Sequence, residues 1–126
     1  MASQTWKCYI DSNDDIISIG LENPNIREID ARYIGLLRFS KYALERIVRL
    51  LERDYYKFQN APWQQSGKNI RQAYMTDLLN ALINNGEHIK AIHFNNGWIE
   101  FDTDKDYENA CDWLTRGVIR ENEYKF

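Results

Sequence analysis

Residues 32–39 (RYIGLLRF) constrain the fold more than any other segment of the chain. Apart from its two arginines, this run is apolar without alternation, which is typical of a β-strand covered on both faces. Gly35 lies inside the run, and a glycine there indicates close approach by a backbone or a ligand. Ser40 follows as a helix N-cap. Four apolar residues then recur at helical spacing, namely Leu44, Ile47, Val48 and Leu51. A buried strand leading into an amphipathic helix predicts an α/β domain.

The other segments predict the element order ββ-β-α-α-ββ-α. The predicted strands are residues 6–10, 16–21, 32–39, 89–94 and 98–102, and the predicted helices run from Ser40 to about residue 54, from about 70 to 85, and from Thr103 onward. Residues 11–15 are polar and predict a turn, and Asn95-Asn96-Gly97 predicts a hairpin. Thr103 and Asp106 have the spacing of a capping box.

Chain length, net charge and the distribution of apolar residues indicate what kind of protein this is. A chain of 126 residues supports one domain over residues 1–126, with residues 117–126 as a frayed tail. The net charge of -3 provides no general attraction for nucleic acid or anionic lipid. No run approaches the ~18 apolar residues of a membrane helix, and no signal-peptide pattern opens the chain, so we expect a cytoplasmic protein. Cys8 and Cys111 form no CxxC pair and are predicted to be buried, reduced thiols.

The acidic residues near position 102 are the most specific candidate for a functional site in the sequence. Strand periodicity places Trp98, Glu100 and Asp102 on one face. Asp102 ends the last predicted strand just before a capped helix, where open α/β sheets bind ligands. One carboxylate together with phosphate oxygens is a usual way to hold Mg²⁺. An exposed acid that only favours the helix dipole would have the same spacing, so the spacing leaves both interpretations open.

Three ordered segments resemble a known family: residues 28–40 (EIDARYIGLLRFS), 74–80 (YMTDLLN) and 98–103 (WIEFDT). Together they resemble the C-terminal half of sugar-phosphate and phosphocholine-type nucleotidyltransferases. Within these, the chain is most similar to the subgroup also found fused to phosphoenolpyruvate mutase domains. The likeness extends from about residue 6 to residue 113, which is nearly the whole chain.

The resemblance implies a partial Rossmann-like sheet with helices packed on it. It implies an enzyme that transfers a nucleotidyl group from CTP or another NTP to a phosphorylated acceptor and releases pyrophosphate. Asp102 would be a ligand of Mg²⁺, which is the implied cofactor. Tyr33, Gly35, Trp98 and Glu100 would bind the acceptor substrate.

Two departures from the family pattern bear on activity. The glycine-rich loop and the first metal-binding aspartate belong to the family's N-terminal half, and this sequence contains neither. Family members commonly have a phosphate-contacting lysine after the second strand, where this chain has Leu21. We therefore expect a split half or fragment that is inactive alone and pairs with its missing half or with a second copy, with no nucleic acid or membrane as partner. The alternatives are a non-enzymatic interaction module that associates through open strand edges, and a small metal- or ligand-binding domain.

Overall fold

The computed structural model describes residues 7–20, 29–95 and 99–119. The strands among these residues are β1 (Lys7–Ile10), β2 (Ile16–Ile19) and β3 (Ala31–Arg32), and the helices are α1 (Lys41–Phe58), α2 (Met75–Asn84) and α3 (Asp104–Thr115). The chain divides into two compact units, Met1–Ile92 and His93–Phe126. The first unit holds the strands, α1 and α2, and the second holds α3. That residues 1–126 form one domain stays a prediction.

The strands form an antiparallel sheet in the order β2-β1-β3. The turn predicted between the first two strands is confirmed. Asp11 fixes it, because its Oδ1 accepts hydrogen bonds from the backbone N–H of Asn13 at 2.8 Å and of Asp15 at 3.0 Å. Asp14 takes the left-handed conformation, with φ at 62°. A short polar side chain makes that conformation accessible, so local chemistry favours this turn.

The prediction of a long buried strand over residues 32–39 is wrong. Only the two residues of β3 pair with β1, and the chain from Tyr33 to Phe39 is irregular. Leu36 is 80% exposed, so the run is not covered on both faces. Gly35 has φ at +86°, and a Cβ built on it would meet nothing within 4 Å. The left-handed backbone therefore favours glycine at this position, and no described backbone approaches it closely. Close approach by a ligand stays a prediction.

Helix α1 begins where the sequence predicts. The Ser40 Oγ accepts a hydrogen bond from the Ala43 N–H at 3.1 Å. The helix continues to Phe58, four residues beyond the predicted end near residue 54. Its buried residues are Ile47, Leu50 and Asp54. Leu44 and Val48, both predicted for the apolar stripe, are 49% and 53% exposed.

The buried face of α1 is rotated because it packs around Trp63. The first core cluster consists of Ile47, Leu50, Trp63, Ala81 and Leu82. The indole Nε1 of Trp63 donates to Asp54 Oδ2 at 3.0 Å, which brings an acidic residue onto the buried side of the helix.

Helix α2 is shorter than predicted and links the two core clusters. It starts at Met75, five residues after the predicted start at about residue 70. The side-chain Oδ1 of Asn69 accepts from the N–H groups of Arg71 and Gln72, and these bonds hold a turn in place of a first helical turn. The second core cluster consists of Cys8, Ile19 and Leu79, which confirms that Cys8 is buried.

The predicted second hairpin is not formed by the residues that the structure describes. Residues 89–95 and 99–102 contain no strand, and residues 96–98 lie outside the described ranges. The segment after α2 bonds instead to the first hairpin: the Ile16 N–H donates to the Ile89 carbonyl and the Ala91 N–H to the Asp14 carbonyl, both at 2.8 Å.

Helix α3 begins with the predicted capping box. Thr103 Oγ1 accepts from the Asp106 N–H at 3.3 Å, and Asp106 Oδ2 accepts from the Thr103 N–H at 2.9 Å. Of its residues only Ala110 is buried. Cys111 is exposed, so its predicted burial is wrong. Most of the predicted tail, residues 120–126, lies outside the described ranges.

The described residues thus form an α/β structure with a small antiparallel sheet, and the Rossmann-like arrangement stays a prediction. Among the helices described, none has the length and apolar character needed to span a bilayer.

Candidate functional site

Asp102 and Glu100 lie in the irregular segment that leads into α3, in the second unit. Both side chains are exposed. Asp102 was predicted to end a strand, and the structure instead places it one residue before the N-cap Thr103. Within the described parts of the chain, the Asp102 carboxylate makes no hydrogen bond and no ion pair. It is therefore available to a ligand.

Asp106, the neighbouring acid, is not available in the same way. Its Oδ2 accepts hydrogen bonds from the Thr103 hydroxyl at 2.7 Å, the Thr103 N–H at 2.9 Å and the Asp102 N–H at 3.2 Å. These bonds, the Thr103 hydroxyl first among them, hold the pKa of Asp106 below its usual range. Asp106 therefore organises the start of α3, whereas no described residue bonds the carboxylate oxygens of Asp102.

The described carboxylates near Asp102 fit a magnesium ion that is also held by substrate phosphates and water. In residues 7–20, 29–95 and 99–119, no three His, Cys, Asp or Glu side chains come together as a metal cluster. A dedicated all-protein cage is therefore not present in that part of the chain. Mg²⁺ is commonly held by one or two carboxylates together with substrate phosphates and water. An exposed carboxylate without other bonds, such as that of Asp102, fits this second mode.

The other predicted site residues are divided between the two units. Tyr33 is partly buried against the second core cluster, and this burial, ahead of the nearby Cys8 thiol, raises its pKa. Gly35 is exposed two residues further on. Trp98 lies outside the described residues, and Glu100 belongs to the second unit with Asp102. The structure thus keeps Tyr33 beside Gly35, and Glu100 beside Asp102.

Sequence reasoning missed the buried carboxylate of Asp77, which is only 1% exposed. Its Oδ2 accepts from the Tyr74 N–H and the Ser66 Oγ, both at 2.8 Å, and its Oδ1 accepts from the Ser66 N–H at 3.3 Å. Asp77 therefore fixes the start of α2 to the preceding loop. An acid in the first turn of the helix was the available signal, because a carboxylate there can accept from the free backbone N–H groups at the helix start.

Asn80 was missed in the same way, and it joins α2 to β2. Its Oδ1 accepts from the Ile19 N–H at 3.1 Å, and its Nδ2 donates to the Ile19 carbonyl and to the Thr76 carbonyl. Gln65 Nε2 also donates to the Ile19 carbonyl. The amide of Asn80 thus bonds the strand as a neighbouring peptide group would. Two of the polar residues in the YMTDLLN segment, Asp77 and Asn80, have structural roles.

Comparison with known proteins supports a nucleotidyltransferase-like origin for this chain. The relative that carries this similarity is the CTP:phosphoglutamine cytidylyltransferase of Campylobacter jejuni subsp. jejuni serotype O:2, which is 32% identical over 97 residues. The matched region covers 77% of this chain and 36% of the relative, so the chain spans about a third of the length of the curated protein it matches. No family model matches the chain, and no solved structure matches it.

Proposed function

We propose that this chain contributes the acceptor-binding and metal-binding part of a nucleotidyltransferase that joins a nucleotidyl group from CTP, or another NTP, to a phosphorylated acceptor and releases pyrophosphate. The observation that carries the proposal is the 32% identity over 97 residues with a cytidylyltransferase. The subgroup fused to phosphoenolpyruvate mutase domains remains the proposed branch of the family.

Asp102 is the proposed metal ligand. Its carboxylate is exposed and without hydrogen bonds among the described residues, whereas Asp106 beside it is held by Thr103. When bound, Mg²⁺ would neutralise charge that develops on the phosphate of the transferred nucleotidyl group and on the departing pyrophosphate. Glu100 and Trp98, on the same segment, and Tyr33 with Gly35 would contact the acceptor, as the resemblance implies.

We also propose that turnover requires residues beyond this sequence, from the same polypeptide or from another chain. The sequence contains no glycine-rich phosphate-binding loop, and such a loop supplies the backbone N–H groups that grip a triphosphate. On α1, Leu44 and Val48 are about half exposed, at 49% and 53%, one helical turn apart. Adjacent exposed apolar residues of this kind are a surface that the remaining part of an enzyme could cover.

The test is a pyrophosphate-release assay with CTP, Mg²⁺ and phosphoglutamine, the acceptor in the relative's name. We expect no release from the chain alone, and release when the chain is mixed with the part of the Campylobacter relative outside the aligned region. Asp102→Asn should lower the rate by on the order of 100-fold. Asp104→Asn, which removes an equally exposed acid two residues away, should leave the rate near that of the wild type.

If the mixture releases no pyrophosphate, either the two parts have not assembled or Asp102 is not the metal ligand. A binding measurement on the chain alone distinguishes these two causes. Mn²⁺ with CTP should broaden the NMR amide signals of residues 100–104 in the wild type and in Asp104→Asn, but not in Asp102→Asn. Equal broadening in both variants would remove Asp102 from the proposal. Pyrophosphate release by the chain alone would show that no further residues are needed.

A second candidate function is a non-enzymatic module that associates with itself or another chain through a strand edge. β3 has a strand neighbour on one side only in the described sheet, which favours this candidate. Sedimentation should then show association that depends on concentration. A monomer at high concentration would remove self-association from consideration.

A further inference from the structure

Three arginines of α1 lie around a pocket in the first unit. The pocket has a volume of about 180 Å³ and is lined by Arg46, Arg49, Leu50, Arg53 and Asn85. The arginines are three and four residues apart, so successive turns of the helix place them on one side. Asn85 is the C-cap of α2 and closes the pocket from the other helix.

Two of the guanidinium groups are already paired with carboxylates. Arg46 forms an ion pair with Glu87 through its Nε and donates to the Tyr42 hydroxyl through Nη1 at 3.1 Å. Arg53 donates to Asp54 through Nε at 2.7 Å and Nη2 at 3.2 Å, and to the side-chain oxygen of Asn85 at 2.8 Å. These bonds neutralise and orient the outer two arginines.

Arg49, between them, has no such bond. Glu45 and Glu52 stand four residues before and three residues after it on α1, yet neither forms an ion pair with it in the described structure. One positive charge at the pocket is therefore not compensated by a described residue, and this favours the binding of an anion there.

Further donors at the pocket are unused. Arg46 Nη2 has no acceptor among the described residues. Because Asn85 directs its oxygen to Arg53, its Nδ2 also remains without an acceptor there. An arginine fork together with neighbouring N–H donors is the arrangement that proteins use for phosphate oxygens.

We propose that this pocket binds the phosphate group of a small molecule, with Arg49 as the principal contact and Arg46 and Asn85 as supporting donors. A pocket of about 180 Å³ admits a phosphate group and has little room for more. The site uses none of the residues assigned to nucleotidyl transfer, and it does not depend on that proposed function.

The test is titration of ¹⁵N-labelled protein with inorganic phosphate at constant ionic strength, followed by NMR. We expect saturable shifts at Arg49 and Asn85, and binding about tenfold weaker in Arg49→Gln. Arg71→Gln removes the same charge from an exposed residue that does not line the pocket, and it should bind as the wild type does. Glu87→Gln should bind phosphate more tightly, because it frees Arg46 and removes a competing carboxylate.

The outcomes that would overturn the proposal are distinct. Equal affinity in Arg49→Gln and the wild type would remove Arg49 as the contact. Equal loss in Arg49→Gln and Arg71→Gln would show attraction by overall charge only. Acetate binding as well as phosphate would contradict the phosphate assignment, and a short oligonucleotide binding more tightly through Arg49 would assign the site to nucleic acid.

Discussion

Asp54 is a buried charged residue beside the first core cluster, and its hydrogen bonds compensate the cost of burying the charge. The residue is 7% exposed, and its two oxygens meet the Arg53 guanidinium and the Trp63 indole. The hydrogen bond from Arg53, ahead of the one from Trp63, holds the pKa of the Asp54 carboxyl below its usual range. The ionised form therefore stabilises the fold.

We predict that Asp54→Asn lowers the free energy of unfolding by about 1 kcal/mol at pH 7. The figure is modest because the Arg53 side chain is 58% exposed and the pair is screened by water. Since the folded-state pKa is lowered, the stabilisation is complete above the unfolded-state value of about 3.9 and is lost as the pH falls through the folded-state value. Urea unfolding of both proteins between pH 7 and about pH 3 checks this.

Glu52→Gln is the matched control, because Glu52 is an exposed acid on the same helix. It should unfold at nearly the same urea concentration as the wild type at pH 7. A difference between Asp54→Asn and the wild type that persists unchanged to the lowest pH would contradict the ionic explanation.

The two cysteines differ in their surroundings, and their reactivity should differ accordingly. Burial raises the pKa of the Cys8 thiol to about 11, whereas Cys111 is exposed on α3. At pH 8 Cys8 is protonated and covered, and only the thiolate is nucleophilic. We predict that a disulfide reagent modifies one thiol per chain rapidly at pH 8 and the second only in urea. Cys111→Ser should lack the rapid phase, and two rapid equivalents in the wild type would contradict the burial of Cys8.

At the scale of the elements, α1 has apolar residues that face the core and apolar residues that face solvent, and substitutions can distinguish the two sets. Leu50 is 3% exposed and Val48 is 53% exposed. We predict that Leu50→Ala lowers the free energy of unfolding by about 2–4 kcal/mol, since it leaves a cavity beside Trp63. Val48→Ala should change it by less than about 0.5 kcal/mol. Equal losses measured by urea unfolding would favour the stripe predicted from sequence over the one in the structure.

The connection between α2 and β2 depends on one amide. Ile19 is fully buried, and Asn80 bonds both its N–H and its carbonyl. We predict that Asn80→Ala lowers the free energy of unfolding by about 2–3 kcal/mol, because the Ile19 N–H loses its partner away from water. Asn84→Ala, at an exposed position on the same helix, should cost much less in the same urea assay. A loss as large in Asn84→Ala would point to helix propensity as the cause.

Elements governed by short-range chemistry could be predicted from the sequence. Ser40 and Thr103 cap their helices as predicted, and Asp11 forms the predicted turn, because each bonds backbone groups within four residues. The run at residues 32–39 was misassigned because its burial depends on distant partners. A strand this apolar needs neighbours on both faces, and β1 pairs with only one residue of it, Arg32.

For the whole molecule, the candidate site was predictable only in part. The sequence indicated that Asp102 precedes a capped helix, and the structure agrees. Its place at a strand end was not correct, because residues 99–102 form an irregular segment. The arginine pocket could not be predicted from the sequence, because the partners of Arg46 and Arg53 include residues at and beyond the end of α2.

The bonding of Ile19 also governs how this molecule behaves among its own copies. An outer strand with unused N–H and C=O groups is a template on which a further chain can add, and repeated addition leads to fibres. At Ile19 that template is occupied by the amides of Asn80 and Gln65, and at Ile16 by the carbonyl of Ile89. The described contacts thus block both ends of the outer side of β2 against the addition of a further strand.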